Sequence, residues 1–218
     1  MPKDCCSIDY DVHFDAEEAR GDLLAYRRDG AEGSTRRLID VLLAEGIEGA
    51  SLLDIGGGVG IVQLELLKAG LATSMDVDAS GPYLQVAEAE AEELGFKGRT
   101  AYRHGDFVAL ADEVEGADVV TLDRVICCYP DVKALVSSSA RHARRLYALV
   151  YPVDRWWTRG AGRILNFVTM LSRSDYRMHV HSEVLVDQLI REAGLQPRYR
   201  HAGMVWQTVV YARPGDSA

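Results

Sequence analysis

A glycine-rich turn follows a short apolar segment close to residue 55. The stretch Leu52–Gly60 reads LLDIGGGVG and contains one acid and four glycines: Asp54, Gly56, Gly57, Gly58 and Gly60. Glycine lets the backbone approach a nucleotide closely, and a helix that begins after such a turn offers free N–H groups. Dinucleotide enzymes require the spacing G-x-G-x-x-G, but Ile61 occupies the position of the third glycine. A nicotinamide oxidoreductase is therefore disfavoured, and the turn predicts a different nucleotide-like cofactor.

Further acids follow at the ends of later predicted strands. Asp76 and Asp78 stand at the end of the second strand, where a carboxylate can accept hydrogen bonds from two ribose hydroxyls. We expect Asp76 to cap a turn or helix, which leaves Asp78 for the ribose. Gly105-Asp106-Phe107 follows the third strand, and Asp123 ends the fourth. In open α/β sheets, ligands bind beyond these carboxyl ends.

Taken in chain order, these features resemble the core of class I S-adenosylmethionine-dependent methyltransferases over about residues 50–150. The resemblance implies an α/β, Rossmann-like fold. Its seven-stranded sheet has the order 3-2-1-4-5-7-6 with the last strand antiparallel, helices on both faces and a small helical cap. It also implies the reaction, which is methyl transfer from S-adenosylmethionine to leave S-adenosylhomocysteine.

The same resemblance assigns a part of the cofactor to each feature. Asp54 and the backbone of the glycine turn would hold the amino-acid end of the cofactor. Asp78 would bind the ribose, because D-A-S-G-P-Y resembles the family's acid-x-Ser pattern that leads into a helix. The Asp106 carboxylate would accept the exocyclic amine of adenine, and Phe107 would cover the ring. Asp123, the strand-end acid, completes the cofactor-binding set.

Alternating strand-like and helix-like segments must position these residues, as in an α/β protein with a parallel sheet. Strands are predicted at Ser51–Ile55, Thr73–Val77, Thr100–His104, Val119–Leu122 and Tyr147–Tyr151, and a closing hairpin at Arg198–Ala202 and Val205–Ala212. Helices are predicted at Asp15–Arg28, Ser34–Glu45 with a Ser34 cap, Ile61–Lys68, Pro82–Leu94, Asp131–His142 and Ser182–Ala193. We expect one domain over residues 1–218. It comprises a helical lid at 1–45 that includes Tyr26 and Arg27, a cofactor-binding core at 50–150 and an inserted substrate cap at 154–181.

Composition and charge limit the function classes. The 218 residues are 48% hydrophobic, which suits one globular domain, and no stretch approaches the roughly 20 apolar residues of a membrane span. The formal charge of −9 disfavours a nucleic-acid partner. Residues 141–218 are nevertheless basic, so they either meet an anionic ligand or pair with the acidic part before them. The adjacent cysteines Cys5-Cys6 and Cys127-Cys128 do not form a disulfide framework, which favours the reducing cytoplasm, and the N-terminus has no signal-peptide core.

The methyl acceptor is expected near Leu122–Pro130, LDRVICCYP, beyond the fourth strand. The spacing from Asp123 to Tyr129-Pro130 resembles magnesium-protoporphyrin O-methyltransferases, although Cys128 replaces a histidine of that group. An aromatic and basic segment after the fifth strand adds to the resemblance through Trp156, Trp157, Arg173, Arg177, His179 and His181. The Asn/Asp-Pro-Pro-Tyr tetrad of many enzymes that methylate amino groups of nucleic acids and proteins is absent. These features predict O-methylation of a small anionic or aromatic molecule, a porphyrin-like carboxylate included.

Several alternatives stay open at this point. A carboxylate acceptor is already ionised, whereas a hydroxyl acceptor needs a base, for which His181 and Tyr129 are the candidates. The cysteine pairs would suit a soft metalloid such as arsenite. His179 and His181 supply fewer ligands than a catalytic zinc site requires, so no metal is expected. A regulatory protein that binds the cofactor without catalysis would keep the same motifs, and the sequence gives no oligomeric state.

Overall fold

A seven-stranded sheet forms the centre of the chain, as shown by a computed structural model that describes residues 11, 14–171 and 177–215. The strands are β1 (Ser51–Ile55), β2 (Thr73–Asp78), β3 (Thr100–His104), β4 (Ala117–Asp123), β5 (Ala143–Pro152), β6 (Gln196–Ala202) and β7 (Trp206–Ala212). Their spatial order is β3-β2-β1-β4-β5-β7-β6. Strand β7 runs antiparallel to β5 and β6, and the other neighbours are parallel. The strand order predicted from the sequence is confirmed.

Helices cover both faces of this sheet. They are α1 (Ala16–Asp29), α2 (Gly33–Ala44), α3 (Ile61–Lys68), α4 (Gly81–Glu93), α5 (Phe107–Leu110), α6 (Val132–His142), α7 (Trp156–Leu171) and α8 (Glu183–Glu192). Side chains of α6 and α8 pack on one face, and those of α2 and α3 pack on the other. Because both faces are covered, every residue from Leu146 to Pro152 of β5 is buried.

The predicted Ser34 cap is wrong. Helix α2 begins at Gly33, so Ser34 lies inside the first turn, and Glu32 at the cap position makes no side-chain hydrogen bond. The Ser34 hydroxyl instead accepts a hydrogen bond from Arg124, at 3.3 Å, and its carbonyl oxygen accepts one from Thr208. These contacts tie α2 to β4 and β7, so tertiary packing outweighs the local capping preference of serine.

Strand β5 is longer than predicted, because it begins at Ala143 rather than Tyr147. Ala143 pairs with Ala117 of β4, and the carbonyl oxygen of Arg145 accepts the N–H of Arg213. This part of the strand contains two consecutive arginines, Arg144 and Arg145, so it does not form the apolar run by which a buried strand is recognised.

The carboxyl ends of β1, β2, β3 and β4 meet at one edge of the sheet, and this edge carries the candidate site. Asp54 in β1 lies between Asp76 in β2 and Thr121 in β4. Helix α7 and residues 177–181 occupy the region predicted as a cap. Arg173 and the Cys5-Cys6 pair lie outside the described residues. Within those residues, no helix is both long and apolar enough to cross a membrane.

Candidate active site

The turn after β1 depends on glycine at two neighbouring positions. Gly56 has φ +67°, and a Cβ atom there would lie 2.6 Å from Cγ2 of Val125. A Cβ atom on Gly57 would lie 2.7 Å from Oδ2 of Asp76, whose Oδ1 accepts the Gly57 N–H at 3.2 Å. Both contacts are too short for any side chain. The turn is therefore held against β2 and β4 by backbone packing that only glycine permits.

Asp76 supports this turn from below. The side chain is fully buried, and it also accepts a hydrogen bond from the Gln63 amide at 3.4 Å. Burial, and secondarily the charge of Asp54, raise the pKa of Asp76 well above its ordinary value. The expectation that Asp76 caps a turn is confirmed.

The other acids surround the turn. Asp54 is fully buried, and its Oδ1 accepts the Thr121 hydroxyl at 2.6 Å. Asp78 accepts the N–H groups of Gly58 at 3.1 Å and Ser80 at 2.8 Å. Burial raises the pKa of Asp54 to about 7 and raises the pKa of Asp78 as well. These carboxyl groups are thus set close together with little water around them, an arrangement that favours a cationic ligand.

Two oxygens of these acids stand out because they accept no hydrogen bond from any described residue. They are Oδ2 of Asp54 and Oδ1 of Asp123, and both are buried. The other oxygen of Asp123 accepts the Thr35 hydroxyl at 2.5 Å, and burial raises the pKa of this carboxyl group. Native proteins seldom leave buried polar atoms without a partner unless a ligand or water supplies one.

A cavity of about 430 Å³ opens in front of the turn and joins the predicted cofactor residues to the predicted acceptor segment. The cofactor side is lined by Gly56, Gly58, Asp78, Asp106, Phe107 and Asp123, and the acceptor side by Arg124, Cys127, Cys128, Tyr129 and Trp206. Phe14, Glu18 and Asp22, in and before α1, close it from the N-terminal side. A second cavity of about 370 Å³ adjoins the turn and is lined by Asp54, Gly57, Tyr26 and Thr35 among others.

Asp106 and Phe107 are placed beside the cavity but already have partners. The Tyr129 hydroxyl lies 2.9 and 3.0 Å from the two oxygens of Asp106, which also accepts the Val108 N–H. The Phe107 ring packs edge-on against His142, with ring centroids 5.3 Å apart. Phe107 is thus largely part of the core, and only the remainder of its surface faces the cavity.

Arg124 is a site residue that the sequence reasoning missed. It is the non-glycine residue with a positive φ, at 62°, within the described chain. Such a conformation costs roughly 1–2 kcal/mol, and residues of this kind cluster at functional sites. Its guanidinium lies 5.1 Å from the centre of the Trp206 ring. No sequence signal marks either residue, because the stacking arises only when β7 joins the sheet beside β5.

His181 does not line the large cavity. Its Nε2 lies 2.8 Å from the Ile126 carbonyl oxygen and 3.2 Å from that of Tyr129, so this nitrogen carries a proton and donates it. The ring stacks on His179 with centroids 5.6 Å apart. Burial lowers the pKa of both histidines. His181 therefore stabilises the acceptor segment Ile126–Tyr129 from behind.

The remaining predicted residues lie around the rim. Tyr26 lines the second cavity and donates to Glu65 at 2.7 Å, whereas Arg27 pairs with Glu90 and Glu93 on α4 and points away from both cavities. Trp156 and Trp157 are exposed and contact each other edge-on. The two described thiols, Cys127 and Cys128, have sulfur atoms 3.7 Å apart, and hydrogen bonding to Cys128 together with burial raises the pKa of Cys127.

Comparison with known proteins agrees with this geometry. Residues 53–146, from β1 into β5, match the family model of a methyltransferase domain. Magnesium protoporphyrin IX methyltransferase from Synechocystis PCC 6803, with bound S-adenosylhomocysteine, superposes with a TM-score of 0.69 at 20% identity, over 94% of this chain and 99% of the other. An O-methyltransferase family protein from Burkholderia thailandensis gives 0.70 at 16% identity, over 92% of this chain and 61% of the other. No curated protein sequence matches the chain.

At such identities the structural likeness establishes the fold alone. The chain has the fold of class I S-adenosylmethionine-dependent methyltransferases, and its residues 53–146 match a methyltransferase domain.

Proposed function

We propose that this protein is an S-adenosylmethionine-dependent methyltransferase that methylates an oxygen atom of a small anionic molecule, with a carboxylate as the simplest acceptor. The observation that carries the proposal is the acceptor side of the cavity, where the strained residue Arg124 presents a cation next to Trp206. Arginine binds carboxylates with two parallel hydrogen bonds, and an aromatic ring beside it suits a flat substrate. The net charge of −9 supports a small molecule rather than a nucleic acid.

The cofactor would occupy the other side of the cavity. S-adenosylmethionine carries a positive sulfonium and an ammonium group, and the orphaned Oδ2 of Asp54 offers the acceptor that the ammonium group needs. The backbone from Gly56 to Gly60 would accommodate the amino-acid end, Asp78 would accept the ribose hydroxyls, and Asp123 would add negative charge near the sulfonium. The fit of these residues to the cofactor is therefore electrostatic as well as steric.

The adenine would lie between Asp106 and Phe107, both of which line the cavity. The Tyr129 hydroxyl donates a hydrogen bond to the Asp106 carboxylate, so the exocyclic amine of adenine would have to share this acceptor with Tyr129 or displace it. When bound, the cofactor supplies an activated methyl group on sulfur. The residues around it need only align the acceptor and exclude water.

The absence of a histidine from the described lining of the cavity also favours a carboxylate acceptor. A carboxylate is ionised at neutral pH, so no base has to remove a proton from it. His181 donates from Nε2 to the backbone, and Tyr129 is bound to Asp106. For a hydroxyl acceptor we would keep Tyr129 as the proposed base and His181 as the residue that positions it.

The experiment is an acceptor panel assayed by release of S-adenosylhomocysteine. The panel contains aromatic carboxylates, phenols of matching shape and arsenite, and the products are treated with alkali. A methyl ester is hydrolysed by alkali, whereas a methyl ether is not. We expect turnover with carboxylates and an alkali-labile product, and turnover with phenols alone would refute the proposal.

A variant pair sharpens this test. Arg124→Gln keeps a side chain at the strained position but removes the cation, and we expect it to lower kcat/KM for a carboxylate by roughly 10- to 100-fold, as for a lost charged hydrogen bond. Cofactor affinity should stay unchanged. Arg141→Gln removes an exposed arginine on α6, whose guanidinium reaches Ser138 alone among the described residues, and serves as the matched control.

A soft metalloid is a second candidate acceptor, favoured by one observation. The sulfur atoms of Cys127 and Cys128 lie 3.7 Å apart, and both residues line the acceptor side of the cavity. Thiolates bind soft ions, provided that the compartment is reducing, as the sequence predicts. Turnover of arsenite in the panel, lost in Cys128→Ser, would favour this candidate over the carboxylate.

A further inference from the structure

Helix α7 presents its apolar side to solvent. Six residues of α7 and of the turn between β6 and β7 form what we call the α7 patch: Trp156, Ile164, Phe167, Met170, Leu171 and Met204. Their side chains are 81, 68, 57, 53, 67 and 81% exposed, respectively. The Trp157 indole N–H donates to the Met204 carbonyl oxygen at 3.0 Å, which joins the turn to the helix. Monomeric proteins rarely expose a contiguous apolar surface of this kind without a use for it.

The side of α7 that faces the protein is small and polar. Thr158 and Gly162 are the buried residues of the helix, and the Thr158 hydroxyl donates to the Val153 carbonyl oxygen at 2.5 Å. The Asn166 amide makes two hydrogen bonds to the backbone of Met178, at 2.7 and 2.8 Å. A surface helix normally buries its apolar stripe and exposes its polar one, but α7 does the reverse. Its outward face is therefore built to contact an apolar phase.

Cations flank this face. Helix α7 contains no acidic residue, and Arg159 is paired with Asp154 at 2.6 Å. Arg155 and Arg163 are exposed, and neither forms an ion pair within the described part of the chain. A chain with a charge of −9 thus places beside its apolar helix two arginines that form no ion pair with any described residue.

We infer that the α7 patch docks the enzyme on an anionic lipid surface, with α7 lying in the plane of the interface. Apolar and aromatic side chains on one face and arginines beside them are the pattern of helices that lie at this depth. A helix of 16 residues is about 24 Å long, and it is too short and too polar on its inner side to cross a bilayer. A twofold contact with a second copy is less favourable, because it would bring the arginines of one helix towards those of the other.

The test uses the full chain and vesicles of phosphatidylcholine, alone or mixed with phosphatidylglycerol, in a co-sedimentation assay. We expect binding to the anionic vesicles that weakens as salt is raised. The double variant Ile164→Ser/Phe167→Ser should lower the partition coefficient by roughly 100-fold, because it removes two apolar side chains that would be buried in the bilayer. Arg155→Gln/Arg163→Gln should lower it by about fivefold for each charge removed, on anionic vesicles only.

Leu24→Ser is the matched control, since Leu24 on α1 is 66% exposed and lies outside the α7 patch. It should bind vesicles like the wild type. All changed positions are exposed, so thermal melting and cofactor affinity should be the same in every variant. Absence of vesicle binding by the wild type, or equal binding by the double variant, would overturn the inference. A dimer in analytical ultracentrifugation that the double variant abolishes, without vesicle binding, would assign the patch to a second copy instead.

Discussion

Replacing Asp54 by asparagine keeps the shape of a fully buried side chain and removes its ability to ionise. The Thr121 hydroxyl keeps its acceptor in the variant, whereas Oδ2, which has no partner among the described residues, becomes an amide nitrogen. Burial raises the pKa of Asp54 from the ordinary 3.8 to about 7, so ionisation is resisted in the folded chain and free in the unfolded one. At about 1.4 kcal/mol for each pKa unit, this group costs about 4 kcal/mol of folding free energy above both values.

The raised pKa sets the direction of the effect. The stability that goes with a neutral Asp54 is complete below pH 3.8 and is lost as the pH rises through about 7. Asparagine escapes this loss, but its buried amide adds a cost of about 1–3 kcal/mol at every pH. Between about pH 5 and pH 8, the free energy of unfolding of Asp54→Asn relative to wild type should therefore shift by about 2–3 kcal/mol in favour of the variant.

Urea denaturation of the cofactor-free protein, followed by circular dichroism at the two pH values, measures this shift. Asp118→Asn is the control, because the backbone and hydroxyl hydrogen bonds from Ser51 keep the Asp118 pKa below its ordinary value despite its partial burial. Asp118 is ionised throughout the range, so its variant should show a constant difference from wild type. Parallel stability curves for Asp54→Asn and wild type would show that Asp54 does not titrate in this range, and the reasoning would fail.

Three further predictions follow from the same geometry. The affinity of the wild type for S-adenosylmethionine should fall by roughly tenfold between about pH 8 and pH 6, because the cation requires ionised carboxylates, and calorimetry should show proton release that Asp54→Asn diminishes. Gly57→Ala places a Cβ atom 2.7 Å from Asp76 and should lower both the cofactor affinity and, by about 1–3 kcal/mol, the free energy of unfolding. Gly21→Ala, where a Cβ meets nothing within 4 Å, should instead stabilise α1 by up to about 1 kcal/mol. Tyr129→Phe should leave kcat for a carboxylate acceptor nearly unchanged in steady-state assays, and loss of kcat in this variant would contradict a reaction that needs nothing from Tyr129.

Elements could be predicted from the sequence where the pattern that identifies them is formed by residues close together in the chain. Strand β1 and helix α3 lie at the predicted residues, because a buried strand and the glycine turn after it leave a short-range signal, and strand β3 also lies where it was predicted. The start of β5 and the beginning of α2 could not be predicted, since both depend on partners distant in the chain.

The site divides in the same way. The acids at the strand ends follow from the topology, so the sequence alone predicts that Asp54, Asp78 and Asp106 lie at one edge of the sheet. Arg124 and Trp206 could not be predicted as site residues. Their contact requires β7 to lie beside β5, and the positive φ of Arg124 cannot be inferred from its residue type. The role of His181 could not be predicted either. Its position in the sequence suggests that it lines the cavity, but its Nε2 donates a hydrogen bond to the backbone carbonyl oxygen of Ile126.

We infer that the acids around the glycine turn bind S-adenosylmethionine. Isothermal titration of the full chain with S-adenosylmethionine at about pH 8 tests it most directly. We expect saturable binding at one site per chain, weakened in Asp54→Asn. No binding at millimolar cofactor would contradict it.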